Sequence, residues 1–328
     1  IPAIRVFGSV LFAFNGFMIL WGEHYWFGNA SLSVILILIP VELLLRKRSM
    51  PHFIFLVAMV VLNTFVSIYL ACMTFIFGAL YTVFRSLYIS KSIKELFSVL
   101  LPIVAAVLIG LAISGFALVP AASLLLFDST RITGTGKSAI GQIANAAITF
   151  FPVDQSILSL SRIFSSNCFV TGLEVPPFSN YYEIVQVGTS VGTLVLALQL
   201  VFAIIVNKKT SRKNKVLIIV ATILILSYFV TAFFPTLFNL GATASNRSSY
   251  CIIPVLIASM CLGLERVILP RKTSIITLLL SLVISLVILF FSYVHATEKA
   301  HLVCILLCLA LLVFSGLLLA YQRSGNKG

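Results

Sequence analysis

The sequence predicts an all-α protein, a polytopic bundle of transmembrane helices. Hydrophobic residues make up 60% of its 328 positions and charged residues only 9%, whereas a soluble domain carries about 25% charge. The apolar residues recur in blocks close to the length of about 20 residues that crosses the hydrocarbon core as a helix. Within a block they do not alternate with polar residues, as they would in the strands of an outer-membrane barrel. We therefore expect about nine or ten hydrophobic helical segments, the number of such blocks.

The first half of the chain holds four apolar runs, at residues 6–21, 32–45, 53–84 and 96–127. At a rise of 1.5 Å per residue, the third run is too long for one straight crossing and too short for two full ones. We predict that it forms a broken pair of short helices or a re-entrant hairpin, interrupted near Asn63 and Thr64.

A long polar stretch, residues 128–181, separates these runs from five more, at 184–206, 216–234, 250–264, 274–294 and 302–321. We interpret residues 1–328 as a single integral-membrane domain, with the loop 128–181 inserted between transmembrane segments. The chain begins with Ile1 rather than Met, and no basic segment precedes its first apolar run. We therefore expect it to be a fragment that is truncated at the N-terminus.

The formal net charge of +13 is distributed unevenly between the apolar runs. Basic residues are concentrated at 46–48, 85–94, 208–215, 266–272 and 323–327. By the positive-inside rule, these segments and the C-terminus face the cytoplasm, and loop 128–181 faces outward. This assignment requires the run 53–84 to enter and leave the membrane on the same side. It also predicts a multi-pass protein of the cell membrane whose basic residues contact lipid, not nucleic acid.

Metal and cofactor motifs do not stand out in the sequence. The six cysteines are scattered, with no CxxC spacing, so they indicate neither a zinc site nor a disulfide framework. Residues 131–138 (RITGTGKS) end like a nucleotide-binding loop, but Arg131 occupies the position where that motif requires glycine. We predict neither a metal nor a cofactor.

Several polar residues are candidates for a binding site because polar groups within or beside a membrane mark sites and pathways. Asn63 is the main one inside a long apolar run, and Asp154 is the most plausible external carboxylate. In the segment 22–27 (GEHYWF), Glu23, His24 and Tyr25 can hold a polar head group at a cavity mouth. The alternatives are a hydrated loop residue for Asp154 and an ordinary interfacial aromatic belt for 22–27. Residues 140–151 are amphiphilic and predict an interfacial helix or a lip that dips into the membrane.

Arg247 is the only basic residue of the segment 234–249, and it directly precedes an apolar run. A cation at a helix N-terminus is unfavourable unless it has an anionic partner. A guanidinium beside the free N–H groups of a helix start is suited to phosphate. We therefore predict a lipid-phosphate or pyrophosphate ligand there, with simple extension of the side chain to the membrane interface as the alternative.

Several segments, read in order, resemble the bacterial YfhO family of multi-spanning proteins, which is grouped with the GT-C type glycosyltransferases. They are residues 11–18 (LFAFNGFM), 22–27 (GEHYWF), 39–47 (IPVELLLRK), 63–71, 119–120 (VP), 150–152 (FFP), 180–182 (NYY) with Gly188, and 247–265. The resemblance spans about residues 10–266, and it implies a GT-C-like fold.

The resemblance implies transfer of a sugar from a polyprenyl-phosphate donor to a cell-envelope polymer, such as teichoic acid, on the outer face. In GT-C enzymes the usual catalytic base is an acidic residue of the first external loop, which this chain lacks if it begins after that loop. The catalytic residue is therefore unassigned, with Asp154 and Glu23 as candidates. The candidate substrate-binding residues are Arg247, His24, Tyr25, Asn63 and Tyr182.

Two other functions remain open: a transporter or flippase of lipid-linked glycans, and a non-catalytic membrane scaffold. Ion-coupled transporters usually carry carboxylates or histidines at mid-membrane. The five C-terminal apolar runs have none in their middle, which counts against a transporter.

Overall fold

The computed structural model describes residues 1–21, 25–123, 138–166, 185–242, 244–295 and 298–324. In these ranges the chain is helical, with one isolated antiparallel bridge between Phe150 and Thr231. Eight of the described helical stretches are long and apolar enough to cross a membrane, and two shorter apolar helices, Met50–Val66 and Thr193–Val206, accompany them. The predicted all-α polytopic bundle is therefore confirmed.

The described helices are numbered in chain order. The first seven are α1 (Pro2–Ala13), α2 (Gly16–Trp21), α3 (Tyr25–Arg46), α4 (Met50–Val66), α5 (Ile68–Ile89), α6 (Ile93–Ile113) and α7 (Gly115–Ser123). Then come α8 (Ala139–Ala147), α9 (Val153–Ser161), α10 (Thr193–Val206), α11 (Arg212–Val230) and α12 (Phe233–Phe238). A 3₁₀ segment (Asn246–Cys251), α13 (Ile253–Gly263), a π-helical turn (Leu264–Ile268), α14 (Ile275–His295) and α15 (Glu298–Ser324) complete the order.

The chain divides into two compact units. The first unit comprises Ile1–Leu20, Phe150–Thr231 and Ile252–Gly328, and the second comprises Trp21–Thr149 and Ala232–Cys251. The segment predicted as one loop, 128–181, thus has described residues in both units.

In the first unit, the apolar run 6–21 is two helices rather than one. The break lies at Asn15, whose side-chain oxygen accepts hydrogen bonds from the backbone nitrogens of Phe17 (2.9 Å) and Met18 (3.1 Å). These nitrogens belong to the first turn of α2, which has no earlier helical carbonyls to bond. Asn15 therefore acts as the cap that starts α2.

Two contacts in the first unit bring its helices close together. A side chain at Gly263 of α13 would overlap the carbonyl oxygen of Leu196 in α10, so only glycine permits this approach. In α10, the buried amide of Gln199 donates to the hydroxyl of Ser281 (2.7 Å) and the carbonyl of Thr277 (2.9 Å) in α14. Small residues and interhelical hydrogen bonds are the usual means of helix association in membranes.

In the second unit, the run 53–84 is the predicted pair of helices, α4 and α5. The chain is extended at Ser67, with φ −168° and ψ 114°, and the Ser67 hydroxyl accepts from the nitrogen of Leu70 at 3.4 Å. The break therefore lies at Ser67 rather than at Asn63 and Thr64. At 22 residues, α5 is about 33 Å long and can cross the hydrocarbon core fully, so it is longer than the short helix predicted.

Two contacts show the relative direction of α3 and α5. Near their C-terminal ends, Glu42 of α3 accepts from Arg85 of α5 at 2.7 Å. Nearer their starts, a Cβ at Gly78 would lie 3.1 Å from Cγ2 of Ile37. The earlier residue of α3 thus lies beside the earlier residue of α5, and the later beside the later, so α3 and α5 are parallel.

The same reasoning applies to α4 and α6. The guanidinium of Arg48, just before α4, donates to the hydroxyl of Ser98 in the first half of α6 at 3.1 Å. Further along, a Cβ at Gly110 would lie 2.7 Å from the side chain of Val60. Helices α4 and α6 are therefore parallel to each other, and α4 and α5 form a hairpin. The basic segments 46–48 and 85–94 consequently lie at one end of the unit, as the predicted alternation requires.

The core of the second unit is formed by apolar side chains of α3, α4 and α6. The buried members are Ile37, Val41, Leu44, Leu56, Val60, Ile103 and Ala106. Because these are aliphatic side chains on three different helices, they hold the hairpin α4–α5 in place beside α3 and α6.

The amphiphilic stretch 140–151 contains the predicted helix, which spans Ala139–Ala147 and is capped by the Ser138 hydroxyl, an acceptor for the nitrogen of Gly141 at 3.1 Å. Ile140 and Ile148 are exposed, at 80% and 77% of their full surface. Large exposed apolar side chains of this kind suit a membrane interface, where the placement of α8 stays a prediction.

Candidate functional site

The candidate site is built on the 3₁₀ segment of the second unit, which carries Arg247. Its neighbours in sequence are polar yet buried: Asn246, Ser248 and Ser249 expose at most 2% of their surface. The segment packs against α3, α5 and α12. Buried hydroxyls and amides are costly without hydrogen-bond partners, so this polar segment has to be held by specific contacts.

Tyr250 supplies the clearest of these contacts. Its hydroxyl donates to the carbonyl of Leu70 in α5 at 2.9 Å. Since a phenol has only one proton to give, the hydroxyl of Thr74, 3.3 Å away, donates to the Tyr250 oxygen. The phenol thus ties the 3₁₀ segment to the first turns of α5, directly after the break at Ser67.

A second contact joins the same part of α5 to the end of α12. The hydroxyl of Tyr69 donates to the side-chain oxygen of Asn239 at 3.0 Å. Together with Tyr250, it fixes the start of α5 against both chain segments that flank residues 240–245. These neutral hydrogen bonds support the chain segment that carries Arg247.

The side chain of Arg247 is half-buried. The α-helix that follows it begins only at Ile253, so Arg247 lies in a 3₁₀ turn and not in the first turn of an α-helix. The predicted α-helix start at this position is therefore wrong, and the phosphate ligand stays a prediction. What remains is the guanidinium, which can bind a phosphate or carboxylate with two parallel hydrogen bonds.

Apart from Arg247, the charged residues that the structure describes in the second unit lie at its other end. Glu42 of α3 accepts from the hydroxyl of Tyr81 and from Nε of Arg85, both at 2.7 Å, and Arg46 lies 3.5 Å from its second oxygen. Leu70 and Arg85 are separated by about 22 Å along α5, at 1.5 Å per residue. Arg247 is therefore at the opposite end of the unit from the basic segments 46–48 and 85–94.

Asn63 is buried in α4, with 2% of its surface exposed. Its amide nitrogen donates to the carbonyl of Met59, one turn earlier, at 2.8 Å. Its amide oxygen has no hydrogen-bond partner among the described residues. An unsatisfied amide oxygen inside a membrane helix is costly, which keeps Asn63 a candidate for contact with a polar ligand.

The structure places Asp154 in the first unit, in the first turn of α9, where its side chain is half-buried. A carboxylate is favourable there because the helix N-terminus is electropositive. Asp154 belongs to the first unit and Arg247 to the second. The role of Asp154 as a base stays a prediction.

Arg162 is a buried residue that the sequence did not single out. It directly follows α9, exposes 2% of its surface, and donates to the carbonyl of Val185 at 3.2 Å. A buried guanidinium requires acceptors on several sides. Val185 is 23 positions away, and no local pattern indicates that contact.

Two of the segments that carry the family resemblance meet beside Arg162. The nitrogen of Gly16 donates to the carbonyl of Gly188 at 2.6 Å. A Cβ at Gly188 would lie 2.7 Å from the backbone nitrogen of Ser166, so the close approach requires glycine. The first unit thus joins the 11–18 segment to the residues that precede α10.

The other sequence candidates cannot be placed. Glu23, His24 and Tyr182 lie outside the described residues, and Tyr25 is described only as the first residue of α3. Within the described ranges, no group of three or more His, Cys, Asp or Glu side chains could hold a metal ion.

The chain matches the model of one protein family, described as bacterial membrane protein YfhO, over residues 2–326. The match extends beyond the segments that carry the resemblance and includes α14 and α15. No curated protein and no solved structure matches the chain.

Proposed function

We propose a function from one premise: this chain belongs to the family of the bacterial membrane protein YfhO, and it is a multi-pass membrane protein. We infer that it is of the GT-C glycosyltransferase type and transfers a sugar from a polyprenyl-phosphate donor to a cell-envelope polymer, such as teichoic acid. The observation that carries this proposal is Arg247, a half-buried cation between the buried polar residues Asn246 and Ser248.

The proposed reaction breaks the bond between the anomeric carbon of the sugar and a phosphate oxygen of the donor. The oxygen of an acceptor hydroxyl forms the new bond to that carbon and loses its proton to a base. Polyprenyl phosphate leaves with the negative charge that develops on the broken bond. A positioned guanidinium stabilises such a charge in the transition state, and we assign this role to Arg247.

The location of Arg247 supports the assignment. It lies at the end of the second unit opposite the basic segments 46–48 and 85–94, which the positive-inside rule places in the cytoplasm. The account therefore puts the reaction on the outer face, at the membrane level where the phosphate of a lipid-linked sugar resides. The bonds of Tyr250 to Leu70 and Thr74 hold the 3₁₀ segment in place, and a site on a fixed backbone segment needs less reorganisation during the reaction.

The test uses membranes from cells that express the full-length protein, a labelled polyprenyl-phosphate sugar, and purified envelope polymer as acceptor. We expect Arg247→Ala to lower the transfer of label by on the order of 100-fold, the cost of losing one preorganised charge-stabilising donor. Arg247→Lys should retain part of the activity because it keeps the charge but not the planar fork. Arg212→Ala, at the exposed first residue of α11, is the matched control and should leave transfer unchanged.

Three results would change the conclusion. Full transfer activity in Arg247→Ala would show that Arg247 has no role in the reaction. Movement of labelled lipid-linked sugar across sealed vesicles without new glycosidic bonds identifies a transporter or flippase. Neither transfer nor movement, in a protein that is folded and in the membrane, leaves a non-catalytic scaffold.

A further inference from the structure

The second unit contains an apolar groove that the proposed transfer reaction does not use. Its volume is about 230 Å³, larger than the apolar cavity of about 150 Å³ that stays dry and takes up benzene in an engineered protein. Its floor includes the buried side chains of Ile37, Val41 and Ile103. The groove thus offers an occupant almost only aliphatic surface.

The groove opens between α5 and α6 on the surface of the protein. Its rim is formed by exposed residues, Ala79 and Val83 on α5 and Val104 and Leu108 on α6. Along α6 it extends from Leu100 to Leu108, about 12 Å at 1.5 Å per residue. Both helices are long and apolar enough to span the membrane, so hydrocarbon chains surround this opening.

One end of the groove points to the basic end of the unit. Leu100 lies two residues from Ser98, whose hydroxyl accepts from the guanidinium of Arg48 at 3.1 Å. Lys94 precedes Leu100 by about 9 Å along α6, and both Lys91 and Lys94 are exposed. A cation held by Ser98 and two hydrated lysines therefore border the end of an apolar channel.

The charges at this end do not cancel. Its basic residues are Arg46, Lys47, Arg48, Arg85, Lys91 and Lys94, and its acidic residues are Glu42 and Glu95. Glu42 is engaged by Arg85 at 2.7 Å, and Glu95 accepts from the backbone nitrogen of Lys91 at 2.7 Å. The net charge is therefore strongly positive, and it attracts anionic head groups at the membrane surface.

We propose that this groove binds an anionic phospholipid, with one acyl chain between α5 and α6 and the phosphate head group at Arg48, Lys91 and Lys94. The apolar groove and the cationic border occur in the same order as the acyl and phosphate parts of a lipid in a single leaflet. Filling the groove also restores the dispersion contacts that a void would forfeit. This site lies at the end of the unit opposite Arg247 and does not depend on the transfer reaction.

The probe is phosphatidylglycerol with a photoactivatable diazirine in one acyl chain, added to the purified full chain in detergent. Phosphatidylcholine with the same chains is the neutral counterpart. We expect phosphatidylglycerol to label peptides that contain Val83, Val104 or Leu108 several times more strongly. Equal labelling of these peptides by the two lipids would overturn the anionic assignment.

Two matched pairs of variants locate the site. Ala79→Trp fills the groove and should abolish this labelling, whereas Leu80→Trp, at the next and also exposed position outside the groove, should not. Lys91→Gln with Lys94→Gln should weaken phosphatidylglycerol labelling by about fivefold for each lysine removed, whereas Lys208→Gln with Lys209→Gln should leave it unchanged.

The four variants are compared by size-exclusion elution so that loss of folding is recognised. If Ala79→Trp does not fold, Val104→Trp replaces it, with the exposed Leu101→Trp as its control. Equal labelling in a groove-filling variant and its control would show that the lipid binds elsewhere, and the proposal would be wrong.

Discussion

The two ends of the second unit hold their polar residues in different ways. At the basic end, Glu42 bonds to Tyr81 and Arg85, so opposite charges compensate each other. At the other end, Tyr250 and Thr74 form neutral hydrogen bonds with each other and with backbone. Arg247 is the only basic residue of the segment 234–249. We infer that the Glu42 cluster serves stability by charge compensation, whereas the neutral network holds the segment that carries Arg247. The functional role of Arg247 stays a prediction.

The largest effect on stability is expected at the ionic end. Glu42→Gln removes the carboxylate that compensates Arg85 inside a membrane-spanning helix, and we expect the free energy of unfolding to fall by about 2–3 kcal/mol. This is less than the about 3–5 kcal/mol for a fully buried pair, because both side chains are partly exposed. The loss of stability is measured by thermal unfolding of the variant and the unchanged protein in detergent micelles.

Glu95→Gln is the control for that experiment, since Glu95 is exposed and bonds only to backbone in the described residues. It should cost less stability than Glu42→Gln. If the two variants unfold at the same temperature, the Glu42 cluster does not have the structural role assigned to it.

A smaller effect is expected at the neutral end. Tyr250→Phe removes the hydroxyl that bonds to Leu70 and Thr74 and should lower the free energy of unfolding by about 1–2 kcal/mol. Because the two side chains share one network, Thr74→Val added to Tyr250→Phe should cost less than the sum of the single changes. Strict additivity in this double-mutant cycle would mean that the Tyr250–Thr74 bond does not form.

The smallest change in stability is expected at Asn63. Its amide oxygen is buried without a partner in the described residues, so Asn63→Leu should be neutral or stabilising by up to about 1 kcal/mol. If Asn63 contacts the substrate, as predicted, sugar transfer will fall while stability is kept. The control is Thr64→Val, at the buried neighbouring position in α4. Equal sugar transfer in both variants would show that Asn63 does not contact the substrate.

Much of the fold could be predicted because the length of an apolar run depends on the bilayer and not on tertiary contacts. The positions of the breaks between consecutive helices could not be predicted. The amide nitrogen of Asn63 donates back to Met59 within a continuous helix. The side-chain oxygens of Asn15 and Ser67 accept from nitrogens further along the chain and start new helices. Asn and Ser side chains can do either, and the sequence does not show which direction is used.

Only part of the candidate site could be predicted, because the sequence shows the charge of a residue but not its long-range contacts. Arg247 stands out by its charge in a segment that has no other basic residue. Its support does not stand out, because Tyr250 and Thr74 are 176 positions apart and each resembles an ordinary residue of an apolar helix. Arg162 is buried and donates to the carbonyl of Val185, a contact that sequence patterns do not reveal.

The central claim is that Arg247 and the basic segment 46–48 face opposite sides of the membrane. Single cysteines at the exposed positions Ala244 and Lys47, in a variant whose six native cysteines are replaced, test it with a membrane-impermeant maleimide. We predict that Ala244→Cys is labelled in intact cells and that Lys47→Cys is labelled only after permeabilisation. Labelling of both positions from outside, or of Lys47→Cys alone, would contradict the account.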